Sequence, residues 1–293
     1  VCILLGGFFY KKYRTTLTFF AAFAVFCGML AVGISVHNEL VREDVILTYS
    51  VYKKNDVVTL ISDGCSVLID DSDGAYTSAS AGWEQLSAQN QTEIDVYMLT
   101  HYHDRHAVTL SKMLHDTIIR QLLIPEPQTD DELRIAEKLS DIAGNAGVKV
   151  QRYRAGSDML TIGFAEIAPL PRVYLDRSTQ PVIGWTLYAH GQTLLLLGGG
   201  AAEAEDTVFT NQRDTALLRA NTILFGIHGP KYKNTVTPLL QQCAALERLV
   251  LASEELSVFC DGMDLDIEPL VLSDGDSAQI RIRCEKNCSV HGN

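Results

Sequence analysis

The stretch LTHYHDRHAV, Leu99 to Val108, decides how this chain is read. It places His101, His103 and His106 within six positions, with Asp104 and Arg105 between them, directly after the apolar run IDVYMLT. Such a run reads as a strand. Residues two apart in extended backbone project from the same face, so His101 and His103 leave the strand end together. His106 joins them if the chain turns into a helix, and Val108, Leu110, Met113 and Leu114 recur near helical spacing. Neutral imidazoles are good zinc ligands, and three ligands with an open position are what metal-assisted hydrolysis requires. A solvated, histidine-rich turn is the alternative. Three of the chain's eight histidines lie within these six positions, which favours a present or ancestral metal site.

Outward from this stretch, short strand-like runs alternate with helical ones. DVILTYSV, VVTLISDG and CSVLIDD precede it as strands. IIRQLLIP follows as a strand ended by Pro125, and TDDELRIAEKLSDIAGNAG as a helix with acids early and Gly144 and Gly147 at its close. VKVQRY, MLTIGFAEIAPL, VIGWTLYA, QTLLLLGGG, NTILFG and RLVLAS add strands, and TVTPLLQQCAALE a further helix. This interleaving, without tandem repeats, implies an α/β architecture of two sheets or one large mixed sheet flanked by helices.

The 293 residues are 47% hydrophobic, and part of that excess is local. Thr15 to Val36, TTLTFFAAFAVFCGMLAVGISV, carries no charge and is long enough, at 1.5 Å per residue, to cross a hydrocarbon layer of ~30 Å. Residues 15–36 are therefore expected to form a transmembrane helix, and 1–14 the end of a truncated membrane helix followed by a cytoplasmic loop. Lys11, Lys12 and Arg14 precede the span, whereas Glu39, Arg42, Glu43 and Asp44 follow it. The positive-inside rule then puts everything after about residue 40 outside the cytoplasm.

The first 38 residues carry three cations and no acid, so a formal net charge of −12 leaves −15 on the remainder. An acidic surface repels polyanions at long range, which argues against tight nucleic-acid binding by this part alone. Of the seven cysteines, Cys2 and Cys27 sit in apolar segments; Cys65, Cys243, Cys260, Cys284 and Cys288 lie where disulfides can persist. Cys284, Cys288 and His291 in the tail, residues 284–293, admit a metal, a disulfide or free thiols. Asp70, Asp71 and Asp73 in IDDSDG lack the later glutamate of a calcium loop and read as an acidic turn. LGGGAAEAE has neither phosphate-loop nor dinucleotide spacing and reads as a tight strand-to-helix turn. Trp83 and Trp185 read as packing residues, and His115, His190 and His291 as surface positions.

LTHYHDRHAV resembles the Thr-His-x-His-x-Asp-His signature of the metallo-β-lactamase fold, an αββα sandwich hosting one or two metals at its sheet edges. A fuller resemblance is to the carboxy-terminal domain of the ComEC-type DNA-uptake channel family of competent bacteria, in which such a domain follows membrane helices. ILTYSVYKKNDVVTLISDGCSVLIDDSDG resembles that domain's opening, LLLLGGGAAEAE its later Gly-Asp stretch, and IHGP, Ile227 to Pro230, its His-His-Gly-Ser. The resemblance implies a metallo-β-lactamase-like domain over residues 45–283, anchored in a bacterial cell membrane beside other membrane helices of the same protein. Single-stranded DNA passing through the full-length channel is the implied partner.

Three departures matter. Arg105 stands at the signature's Asp, and a guanidinium cannot ligate a cation. Gly199 stands at the metal-bridging Asp, and Ile227 at the first histidine of the His-His pair. The surviving ligands, His101, His103, His106 and His228, suffice for one weakly held zinc or for none. Two functions compete. One is a single-metal hydrolase, weakened, with Asp104 as general base and a phosphodiester as the implied substrate. The other is an inert scaffold or assembly domain that keeps the sandwich without the chemistry.

Overall fold

A computed structural model of the chain describes residues 18, 20, 22–34, 43–53, 55–154, 159–171, 182–197, 219–226, 240, 243, 245–259 and 267–283. Two compact units divide it, Val1–Glu43 and Asp44–Asn293.

In the first unit the described residues are helical over 22–34, and the large apolar side chains there, Phe23, Phe26, Met29 and Leu30 among them, are more than half exposed. Among the described residues no helix is long and apolar enough to cross a membrane. Residues 15–17, 19, 21, 35 and 36 of the expected span lie outside the described set.

The second unit holds two seven-stranded sheets. The first contains β1 (Val45–Tyr52), β2 (Asn55–Ser62), β3 (Cys65–Asp70), β4 (Ile94–Leu99), β5 (Ile119–Pro125), β6 (Lys149–Tyr153) and, at its far edge beside β1, β14 (Ser277–Ile282). β14, β1, β2 and β3 run antiparallel to their neighbours, and β3 to β6 are parallel. Parallel neighbours need crossovers, which three helices supply: α1 (Tyr76–Ala88), α2 (Asp104–Asp116) and α3 (Asp130–Asn145). The second sheet repeats the plan. β7 (Leu160–Ile162), β8 (Ala165–Pro171), β9 (Val182–Ala189) and β10 (Gln192–Leu197) form an antiparallel meander. Parallel strands β11 (Thr222–Phe225), β12 (Arg248–Leu251) and β13 (Leu270–Val271) continue from β10.

Period-two alternation sorts the strand residues into two cores. Val67, Ile69, Met98 and Leu123 face the second sheet, joining Ile167, Trp185, Leu196 and Leu224. Their neighbours Leu68, Tyr97, Leu99, Leu122 and Ile124 face the helices, joining Leu86, Leu110, Met113 and Leu139. The parallel strands are thus covered on both faces, which is why they read as nearly unbroken apolar runs.

Sequence patterning misses α1, β13 and β14. The α1 segment YTSASAGWEQLSA is rich in small residues and weakly amphipathic, because it lies unusually close to the sheet: a Cβ on Gly82 would fall 2.3 Å from Leu68 and 2.8 Å from Val57. MLTIGFAEIAPL is a hairpin rather than one strand, reversing at Gly163, whose φ of +57° favours glycine. The α3 helix starts as its acids suggest, with Thr129 and Glu132 forming a reciprocal capping box. The LGGGAAEAE turn, the helix expected around TVTPLLQQCAALE (Leu240, described, is helical), and Cys260, Cys284, Cys288 and His291 fall largely or wholly outside the described residues. Among the described residues, Cys27 and Cys65 are free thiols.

Candidate metal centre

Parallel strands β3 and β4 end side by side, with Asp70 in register with Leu99. Asp71 and Thr100 therefore leave the sheet as neighbours, at the carboxyl edge where open α/β sheets place their ligands. His103 keeps extended backbone (φ −135°, ψ 147°) as the N-cap of α2, so His101 and His103 share one face. Tyr102 takes the opposite face, where its hydroxyl donates to the Pro125 carbonyl. The first turn of α2 then brings His106 round, its N–H donating to the His103 carbonyl at 3.0 Å.

All three imidazoles converge. Ring centroids are 4.7 Å apart for His101 and His103, 5.3 Å for His101 and His106, and 5.9 Å for His103 and His106. His101 is nearly buried and His103 is 44% exposed, so the cluster opens to solvent on the His103 side.

Each histidine has its own carboxylate. Nδ1 of His101 lies 2.7 Å from the Thr100 hydroxyl, which donates to Asp71 Oδ1 at 2.5 Å. That hydroxyl has one proton and the carboxylate can only accept, so His101 donates from Nδ1 and presents the lone pair of Nε2. His106 Nδ1 lies 3.6 Å from Asp70 Oδ2, an electrostatic contact longer than a hydrogen bond. Asp70 is fully buried, and accepts from Tyr97 at 2.7 Å and from the Ser72 hydroxyl at 2.5 Å. Burial pushes its carboxyl up, but contact with His106, then with Ser72 and Tyr97, outweighs this and holds it below its ordinary value. His103 Nε2 lies 3.6 Å from Asp73 Oδ1.

His106 tests whether this site suits a cation. It is fully buried, yet among the described residues neither ring nitrogen has a hydrogen-bond partner. An unsatisfied buried polar group costs about 1–3 kcal/mol, and with Nδ1 turned toward Asp70 at 3.6 Å, Nε2 is left without a partner among the described residues. A divalent ion ligated by one imidazole nitrogen meets that need, and the rings of His101 and His103 lie 5.3 and 5.9 Å from that of His106, centroid to centroid.

Asp104, expected as general base, stands elsewhere: it is exposed at the first position of α2, 3.4 Å from Arg134 Nη2. The carboxylate facing the cluster from the solvent side is Asp73. Arg105 is exposed and lies one residue further along α2. His228, Gly199 and Ile227 lie outside the described residues. Gly226, two positions before His228, lines a cavity together with Asp71, Leu197 and Trp185. Asp70, Asp71, Asp73 and Thr100 escaped sequence reading as site residues because only the β3–β4 pairing brings the IDDSDG turn to the histidines. The one signal was an aspartate cluster closing a buried strand.

The turn that carries Asp73 is pinned by Gly74, whose carbonyl accepts from Thr109 Oγ1 at 2.6 Å. Gly74 has φ +76°, and a Cβ there would lie 2.8 Å from the backbone nitrogen of His106 and 2.9 Å from Arg105 Cβ. Gly74→Ala is therefore expected to cost about 1–2 kcal/mol from the left-handed backbone alone, with the clash added. Denaturant unfolding checks this, and metal affinity should fall in parallel.

No protein-family model and no curated protein matches the sequence. Solved structures do. The β-hydroxylase CmlA (E377D mutant; the enzyme is from Streptomyces venezuelae) superposes with a TM-score of 0.51 at 15% identity, covering 82% of this chain. The chain spans 54% of that protein's length. Zn(2+)-bound PqqB from Methylobacterium extorquens gives 0.49 at 14% identity, covering 80% of this chain and 99% of PqqB. A diphosphatase of the PhnP family gives 0.48 at 12%, covering 80% and 97%. The two sheets and their helices are those of the metallo-β-lactamase fold. At these identities the likeness is one of fold.

Proposed function

We propose that this chain is a membrane-anchored metallo-hydrolase domain of a ComEC-like DNA-uptake protein, holding one divalent ion and cleaving phosphodiesters weakly. The observation that carries the hydrolase reading is the meeting of the His101, His103 and His106 rings, that of His106 buried with no hydrogen bond to its nitrogens among the described residues. His101, His103 and His106 would hold the ion, with His228 as the fourth histidine of the resemblance. A divalent ion in such a site supplies Lewis acidity at neutral pH.

The chain's own residues orient it. Asp71, through Thr100, fixes the tautomer of His101, and Asp70, itself held by Tyr97 and Ser72, faces His106. Weak activity follows from Arg105, which puts a fixed positive charge where the motif has a carboxylate. Support for the anchor comes from the uncharged run 15–36 and the exposed apolar side chains along 22–34, because a helix apolar on all sides needs an apolar surrounding. The extracytoplasmic placement rests on charge asymmetry, and the DNA substrate on the resemblance.

Metal analysis of the full chain purified in detergent is expected to find about one zinc, iron or manganese ion per chain. Slow, chelator-sensitive hydrolysis of bis(4-nitrophenyl) phosphate is expected to disappear in His103→Ala and to rise in Arg105→Asp. Arg105 also favours a second reading, the inert scaffold. A chain without stoichiometric metal and without turnover would establish the scaffold and overturn the hydrolase.

A further inference from the structure

The signature position that should carry a carboxylate carries Arg105, yet the cluster does not lack a carboxylate. Asp73, from the turn between β3 and α1, brings Oδ1 to 3.6 Å from His103 Nε2. One ligand atom each from Asp73, His101 and His103 lie within 4.8 Å of one another. We infer that Asp73 is a ligand of the divalent ion, replacing from a different loop the carboxylate lost at position 105. This rests on the proposal that the histidine cluster binds an ion.

The turn is built for this approach. Without a Cβ at Gly74, the backbone of 72–75 closes directly on the start of α2, and the Gly74 carbonyl is tied to Thr109. The Asp73 N–H donates to Asn55 Oδ1 at 3.4 Å, leaving its carboxylate on the histidine side. An independent observation lies beside it: the buried His106 ring, its centroid 5.9 Å from that of His103 and 5.3 Å from that of His101, has no hydrogen bond to either nitrogen among the described residues.

Charge agrees as well. Neutral imidazoles leave the ion's double charge uncompensated and Arg105 adds a further cation nearby, whereas one Asp73 carboxylate offsets part of both. Imidazoles with one carboxylate form a donor set that suits zinc and iron(II) alike. Asp104 is one step along the chain from His103 but is turned toward Arg134, which makes it the natural control.

The test uses the full chain in detergent, titrated with cobalt(II) as the probe. Asp73→Asn is expected to weaken cobalt binding at least about tenfold, since even groups that only hold a ligand in place contribute that much. Asp73→Cys is expected to show a thiolate-to-cobalt charge-transfer band in the near ultraviolet that is absent from wild type and from Asp104→Cys. If wild type binds cobalt but Asp73→Cys shows no such band and Asp73→Asn binds as wild type, Asp73 is not a ligand and the histidine site stands. Wild type that binds no cobalt removes the site itself, and this inference with it.

Discussion

His106→Leu is expected to abolish stabilisation by metal while leaving the metal-free protein as stable as before, or more stable. The two effects have opposite signs because His106 is an expensive residue in the absence of an ion. Its ring is fully buried beside Asp70 at the end of β3, and among the described residues both nitrogens are without a hydrogen bond. Leucine has a comparable volume and no polar atom, so the substitution relieves about 1–3 kcal/mol of unsatisfied polarity. Against this stands the 3.6 Å contact with Asp70, whose carboxylate still keeps Tyr97 and Ser72 as donors. With ion present at about a hundred times its dissociation constant, wild type gains about 2.7 kcal/mol, and the variant should gain nothing. Urea unfolding with chelator and with zinc measures both numbers. A variant that loses several kcal/mol in chelator would identify His106 as a structural core residue.

Trp185→Ala is expected to destabilise the second unit by about 3–5 kcal/mol, the usual cost of emptying an aromatic site in a packed core. Trp185 is 4% exposed, sits in register with Leu196 across β9 and β10, and meets Tyr153 of the other sheet edge to face at 5.3 Å. That contact couples stability to the site: the Tyr153 hydroxyl donates to the carbonyl of Leu99 at 2.7 Å, one residue before Thr100. Loss of the indole therefore lowers the urea midpoint and also weakens metal affinity, although Trp185 lies among no ligands. An unchanged midpoint would mean that the two sheets hold together without this packing.

Several elements were legible because their cause is local. The β1–β6 and β9–β12 runs alternate or stay apolar in a way that only sheets explain, and α3 announces itself by Thr129 with its acids. Spacing alone also grouped the three histidines, since an i, i+2 pair ending a strand and one helical turn bring rings together whatever the rest of the fold. The small-residue helix α1 was illegible because its composition answers to the closeness of the sheet at Gly82 and not to a helical stripe. β14 pairs with β1 across more than two hundred residues, and nothing in SAQIRI names that partner.

By itself, then, the sequence determined the α/β class, the histidine cluster, the replacement of a carboxylate by Arg105 and the long uncharged segment at 15–36. Tertiary structure decided which carboxylates serve that cluster: Asp70, Asp71 and Asp73 face it, and Asp104, adjacent in sequence to His103, turns to Arg134. The reason is geometric. A helix start rotates neighbouring side chains by about 100° per residue, separating 103 from 104, while parallel pairing of β3 with β4 brings residues thirty positions apart to hydrogen-bonding distance.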